Sequence, residues 1–142
     1  MLDAPAWAVE LLHTARVARF ATADAAGQPL VVPMCFALVE GRIYSAVDAK
    51  PKRTRELRRL RNVADNPRVS LVVDVWDEDW TKLAWVIVEG AAGILTTDLE
   101  RAPALAALAA KYPQYVAMDL ATSAGAVIAI TPARVVAWRA AG

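Results

Sequence analysis

Two hydrophobic periods alternate along this chain and divide it into nine elements. Residues 6–14 place Val9 and Leu12 near one helical face, with Asp3 and Pro5 ahead of them as cap and first turn. The next segment, RVARFATA (16–23), alternates as a half-buried strand, and Asp24 to Gln28 forms a turn. A mostly apolar strand follows from Leu30 to Leu38, then a turn at Glu40-Gly41 and a third strand, RIYSAV (42–47). From Lys52 to Val63 the period returns to helical, with Leu57, Leu60 and Ala64 as the expected inward stripe. Asn66-Pro67 stops that helix.

RVSLVVDV (68–75) and AWVIVEGAAGIL (84–95) read as two more strands, joined by an acidic loop with tryptophans. Gly90 and Gly93 in the second of these predict a bulge or a close approach of backbones. A helix capped by Asp98 extends to Lys111, residues 112–124 read as irregular, and 126–138 is a closing strand interrupted by proline. The order αβββαββαβ predicts a mainly β fold, a small antiparallel barrel with helices outside. A doubly wound parallel sheet would need strict alternation of strand and helix, which this order lacks.

Length adds that residues 1–142 form a single domain. The hydrophobic fraction is 57%, more apolar surface than so short a chain easily hides, and self-association is the expected remedy. The longest apolar run, Leu30 to Val39, is half of what a bilayer requires, and the first ten residues lack a basic leader region. A cytoplasmic protein with no membrane partner is the expectation. One cysteine, Cys35, excludes a disulfide framework and a cysteine-rich metal site, and no metal is expected.

Charge is the least evenly distributed property. Residues 50–68 hold eight basic and two acidic residues, a net of +6, whereas the rest holds eight basic and thirteen acidic, a net of −5. In the subset Lys50, Lys52, Arg53 and Arg55, the cations stand where a strand enters a helix, together with Thr54. Free helix amides, a hydroxyl and cationic side chains can converge there on one phosphate. Arg58, Arg59 and Arg61 read as a solvated helix face. A basic helix also admits a nucleic-acid surface, but the chain is nearly neutral and the basic stretch contains no aromatic residue, so no nucleic-acid partner is expected.

Trp76, Trp80 and Trp85 lie within ten residues and can wall a planar heterocycle or pack as ordinary core or interface. His13 reads as a packing residue, Cys35 as a small mid-strand hydrophobe, and Glu89 as half of a salt bridge between subunits. Nucleotide-binding glycine loops, zinc-hydrolase and serine-hydrolase motifs are absent. An enzyme of this sequence therefore takes its chemistry from a bound redox cofactor.

Three runs carry a family resemblance: VARFATADAAGQPLVVPMCFAL, GRIYSAVDAKPKRTRELRRLRNVADNPRVSLVVD and WVIVEGAAGIL. Together they resemble the pyridoxamine 5′-phosphate oxidase-like, flavin-binding split-barrel superfamily, and within it the actinobacterial branch of coenzyme F420-dependent oxidoreductases. The resemblance implies a six-stranded antiparallel split β-barrel that forms a homodimer with cofactor sites at the subunit interface. It implies that Lys50, Lys52, Arg53 and Arg55 hold the phosphate of F420 or, alternatively, FMN, and Arg58 or Arg59 would join them for the F420 tail. Val31, Val32, Pro33 and Met34 would line the cofactor ring, Ser45, Ala46 and Val47 lead into the phosphate turn, and Trp80 and Trp85 reach the partner's site. The implied function is hydride transfer from reduced F420 to a small conjugated or heteroaromatic substrate, with Tyr44 or Ser45 as possible proton donors. An FMN-dependent oxidase or flavin carrier of the same fold is the alternative. The chain ends soon after Trp138 and lacks the longer C-terminal substrate segment of true pyridoxamine phosphate oxidases, which argues against that activity.

Overall fold

A computed structural model describes residues 2–48, 54–119 and 124–141. Helix α1 (Ala6–Thr14) is followed by strands β1 (Ala18–Ala23), β2 (Pro29–Met34), β3 (Ala37–Val39) and β4 (Arg42–Asp48). Helix α2 (Thr54–Asp65), strand β5 (Arg68–Val75), a 3-10 turn (Trp80–Lys82) and strand β6 (Ala84–Leu95) come next. Helices α3 (Asp98–Lys111) and α4 (Gln114–Ala117) precede the long strand β7 (Ala124–Arg139). The fold is mainly β with peripheral helices, as the pattern predicts. It forms one antiparallel sheet in the order β2-β1-β5-β6-β7-β4-β3.

Seven strands stand where six were expected because the apolar run after Leu30 changes partners midway. Its first half, β2, pairs with β1 through Phe20 opposite Val32, and its second, β3, pairs with β4 through Leu38 opposite Ile43. Those halves occupy opposite edges of the sheet, yet only Cys35 and Phe36 separate them. Three Cα steps reach about 11 Å, whereas the edges of seven flat strands lie about 29 Å apart. The sheet must therefore curl until its edges meet, and Cys35-Phe36 is the seam of the barrel.

Inside the curl lie Phe20, Phe36, Ile43, Leu71, Val86 and Ile128, all fully or almost fully buried, and Leu12 of α1 plugs the same core. A second cluster, Ala37, Leu108 and Tyr112, fastens α3 to the outside of β3 and β4.

Several local expectations change. Helix α1 has Pro5 at its cap with no side-chain cap bond, so Asp3 is not the cap. For α3 the cap is Thr97, one residue ahead of Asp98; its hydroxyl accepts the Glu100 amide and donates to the Glu100 carboxylate. Among the described side chains of α2, which exclude Leu57 of the expected stripe, Arg59, Asn62 and Val63 are buried, with Leu60 half-buried and Ala64 exposed. The inward face is thus rotated from the expected stripe. Asn62 fixes that rotation by donating to the Thr22 hydroxyl of β1 at 3.0 Å, a buried pair that an apolar stripe cannot reveal.

Candidate functional site

The seam gathers polar groups that a regular ladder would not need. At Cys35 and Phe36 the backbone leaves one partner strand before joining the next, so its amides and carbonyls must bond elsewhere. Ser45 of β4 donates to the Cys35 carbonyl at 2.8 Å. Tyr112, at the C-cap of α3, accepts from the Phe36 amide at 3.1 Å and shares its own proton between the carbonyls of Arg16 (3.0 Å) and Phe36 (3.2 Å). The Arg16 guanidinium lies 4.5 Å from the centre of the Tyr112 ring and donates to the Lys111 carbonyl at 3.0 Å. One phenol and one guanidinium thus tie the seam, α3 and the segment before β1 together.

Strand β2 leads into this seam from the sheet edge. Val31, Pro33 and Cys35 face outward, with Val31 62% exposed, while Met34 points into the core and Val32 is half-buried. An edge strand leaves alternate backbone amides and carbonyls free of a neighbouring strand, and they can bond the rim of a planar heterocycle lying against it. Two prolines, Pro29 and Pro33, lie on β2 itself, the kind of strand where they do not interrupt a ladder from within. Of the four residues expected to line the ring, Val31 and Pro33 face outward on this edge strand, whereas Val32 is half-buried and Met34 belongs to the core.

Of the other expected site residues, Ser45 and Val47 are buried and Ala46 is half-buried. The Ser45 hydroxyl is committed to the seam, so it is a positioning group and not a free proton donor. Lys50, Lys52 and Arg53 lie outside the described residues, and for Arg55 only the helical backbone is described. Trp85 stacks on Trp138 at 6.3 Å, opposite Asp74 in the β5–β6–β7 part of the sheet. Trp80 on the adjacent turn is 67% exposed. Strands β1 and β5 separate that region from β2, so one chain does not place these tryptophans beside the ring-lining strand.

Two sequence expectations are corrected, at Cys35 and Arg59. Cys35 is an exposed thiol at the seam and not a packed mid-strand residue, because the strand ends before it. Arg59 is 8% exposed and not part of a solvated face. Glu89 is exposed and pairs with Arg134 of its own chain at 3.6 Å across the β6–β7 ladder. His13 is exposed on α1.

Unanticipated by the sequence reading is a titratable group around the seam. The Lys111 ammonium has no exposed surface and no hydrogen-bond partner among the described residues, and it lies 3.8 Å from the centre of the Phe36 ring. Burial first, and then the nearby Arg16 charge, lower its pKa from 10.5 to about 8, with Cys35 opposing. Tyr115 of α4 is pushed up to about 12, mainly by burial and then by Cys35, while Arg59 pulls it the other way. The two tyrosines, spaced i and i+3, were the available signal; their rings meet edge-on at 5.7 Å.

These shifts have a stability consequence. Between pH 8 and 10.5 the unfolded chain keeps the Lys111 proton and the folded chain releases it, so stability rises with pH. Between pH 10 and 12 the folded chain keeps the Tyr115 proton and the unfolded chain releases it, so stability falls. Urea midpoints measured from pH 7.5 to 11 are expected to pass through a maximum near pH 10. In Lys111→Met the rising limb should disappear; a rise unchanged in that variant would remove Lys111 as its source.

Comparison with known proteins agrees with this architecture. No curated protein matches the chain. Among solved structures, a conserved hypothetical protein of Mycobacterium tuberculosis superposes with a TM-score of 0.74 at 22% identity, covering 98% of this chain and 86% of its own. The heme storage protein of Vibrio cholerae gives 0.72 at 15% identity, with 92% and 90% covered. A FAD-binding protein of Mesorhizobium loti gives 0.70 at 24% identity, with 94% of each chain covered. At these identities the likeness establishes the fold alone. Residues 5–139 match the pyridoxamine 5′-phosphate oxidase family, to which this chain belongs.

Proposed function

We propose that the chain is an oxidoreductase dependent on a flavin-type cofactor, with the deazaflavin F420 favoured over FMN. The observation that carries this reading is the outward, edge-exposed strand β2 running into a seam from which β4 leads toward the basic segment. The backbone of β2 suits a tricyclic ring, and Lys50, Lys52, Arg53 and Arg55 suit its phosphate. The bound group would supply hydride transfer. The chain's own part is to hold the ring against β2, exclude water and orient a substrate at about 3–3.5 Å from it.

The dense basic segment fits a cofactor with a longer anionic tail, which is why F420 is favoured. A homodimer supports the reading further: exposed Trp76, Trp80 and Val75 on the β5–β6 connection give a second chain an apolar surface, and a partner's tryptophan would close the ring site. A heme-storage role, suggested by the name of the Vibrio protein of the same fold, finds less support, since the single histidine lies exposed on α1 and not on the ring-lining strand β2.

The test is a titration of the purified protein with F420, read by fluorescence, in parallel with FMN at one ionic strength. F420 is expected to bind at least about tenfold more tightly than FMN, a difference of about 1.4 kcal/mol. Arg53→Glu is expected to weaken binding by about tenfold or more while leaving the sedimentation behaviour unchanged. FMN preference would move the protein to the flavin alternative, and binding of neither would overturn the enzyme reading.

A further inference from the structure

Helix α3 has two apolar faces. Ala104, Leu108 and the C-cap Tyr112 face the sheet and are buried, whereas Ala102, Leu105, Ala106 and Ala109, spaced i, i+3, i+4 and i+7, form a second face. Between that second face and Tyr115 and Val116 of α4 lies a cleft of about 610 Å³. Its size falls within the range of small-molecule sites. The three alanines keep it open, since a larger side chain at any of them would close the gap to α4.

Its charges are already spoken for. Asp98 pairs with Arg101 at 2.8 Å, Arg101 also donates to the Gly125 carbonyl, and Asp119 is engaged within the chain as well. An ionic ligand would compete with these contacts, and most of the remaining lining is apolar, so the cleft favours an uncharged occupant. Tyr115 supplies a half-buried aromatic wall, and its phenol keeps its proton throughout the neutral range. The same phenol faces Cys35, at the end of the outward strand β2.

We infer that the α3–α4 cleft is a binding site for an uncharged, largely apolar ring compound, gripped between Ala102, Leu105, Ala106, Ala109 and Tyr115. Resting on the proposed function, that compound is the substrate, because Tyr115 is the wall shared between the cleft and the end of the ring-lining strand. The binding claim stands without it.

The test uses the neutral dye N-phenyl-1-naphthylamine, which fluoresces in apolar surroundings, added to the purified protein without cofactor. Saturable binding of one dye per chain is expected. Ala106→Trp fills the cleft from an exposed helix position and should weaken binding by about tenfold or more. Ala109→Leu narrows it independently and decides the matter if the first variant loses its circular dichroism. Leu99→Ser, at an 87% exposed position of α3 outside the lining, should leave binding unchanged. Absence of saturable binding, or binding indifferent to both filling substitutions, overturns the inference. F420 and FMN titrations on the same samples separate the two claims. Cofactor binding lost with dye binding intact counts against the proposed function alone, and the converse counts against the cleft alone.

Discussion

Gly90→Ala is expected to destabilise the protein by about 3 kcal/mol, at the top of the usual range for overpacked positions. A Cβ added at Gly90 would stand 2.2 Å from the Thr131 carbonyl oxygen and 3.0 Å from the Pro132 Cα. Both obstacles are backbone, so no rotamer change relieves the clash. The approach is close because the β6–β7 ladder bulges here: Glu89 faces Arg134 and Gly90 faces Pro132, which leaves Ala133 as the extra residue on β7. Pro132 is tolerated inside a central strand because it sits at this bulge. Relief of the clash would require β7 to move away, and β7 holds β6 on one side and β4 on the other. Gly93→Ala is the internal control, since nothing lies within 4 Å of its added Cβ. It should change stability by less than about 1 kcal/mol, and a less flexible unfolded chain makes the change favourable. Urea denaturation of both variants checks this, with thermal midpoints expected to differ by roughly 10 °C. Equal stability of the two would show that the bulge accommodates a side chain.

The contrast between these glycines marks what a sequence can disclose. A glycine in a strand announces a local exception, and both were read as such; only the register of β7 decides that Gly90 needs it and Gly93 does not. Strand limits set by local signals agree closely, as for β5 (Arg68–Val75) and β6 (Ala84–Leu95). The break at Cys35-Phe36 left no such signal. An apolar residue suits either partner strand, and no glycine or polar cluster marks the place where one partner replaces the other; Pro33, two residues earlier, is the one local break in the run. Pairing between distant strands is settled by the barrel and not by the segment. The same limit hid Arg59, whose burial follows from the rotation of α2 about the Asn62–Thr22 bond. At the candidate site, the run LVVPMCFAL carries no polar alternation, so the outward turn of Val31 and Pro33 was not legible in it and the strand read as mostly buried. The committed Ser45 hydroxyl, the seam cluster of Lys111, Tyr112 and Tyr115, and the α3–α4 cleft depend on contacts between segments far apart in sequence.

Tyr112→Phe is expected to cost about 2–3 kcal/mol although it removes a single oxygen. That oxygen accepts from the buried Phe36 amide at 3.1 Å and carries the proton shared by the Arg16 and Phe36 carbonyls. No neighbouring strand serves Phe36, so its amide loses its only acceptor given by the structure, and an orphaned buried donor alone costs about 1–3 kcal/mol. The phenylalanine ring keeps the apolar contacts with Leu108 and Ala37, which confines the change to hydrogen bonding. The effect should also be local in a way a core cavity is not. The seam joins the end of β2 to β3, so amide exchange at Phe36 and Ala37 should accelerate more than exchange in β5 and β6, where the ladder is untouched. Tyr115→Phe, at a hydroxyl that holds no backbone group of the seam, should cost less than about 1 kcal/mol and leave Phe36 exchange unaltered. If Tyr112→Phe instead leaves exchange at Phe36 unchanged, the seam is held by Ser45 and the apolar cluster, and the phenol has no part in closing the barrel.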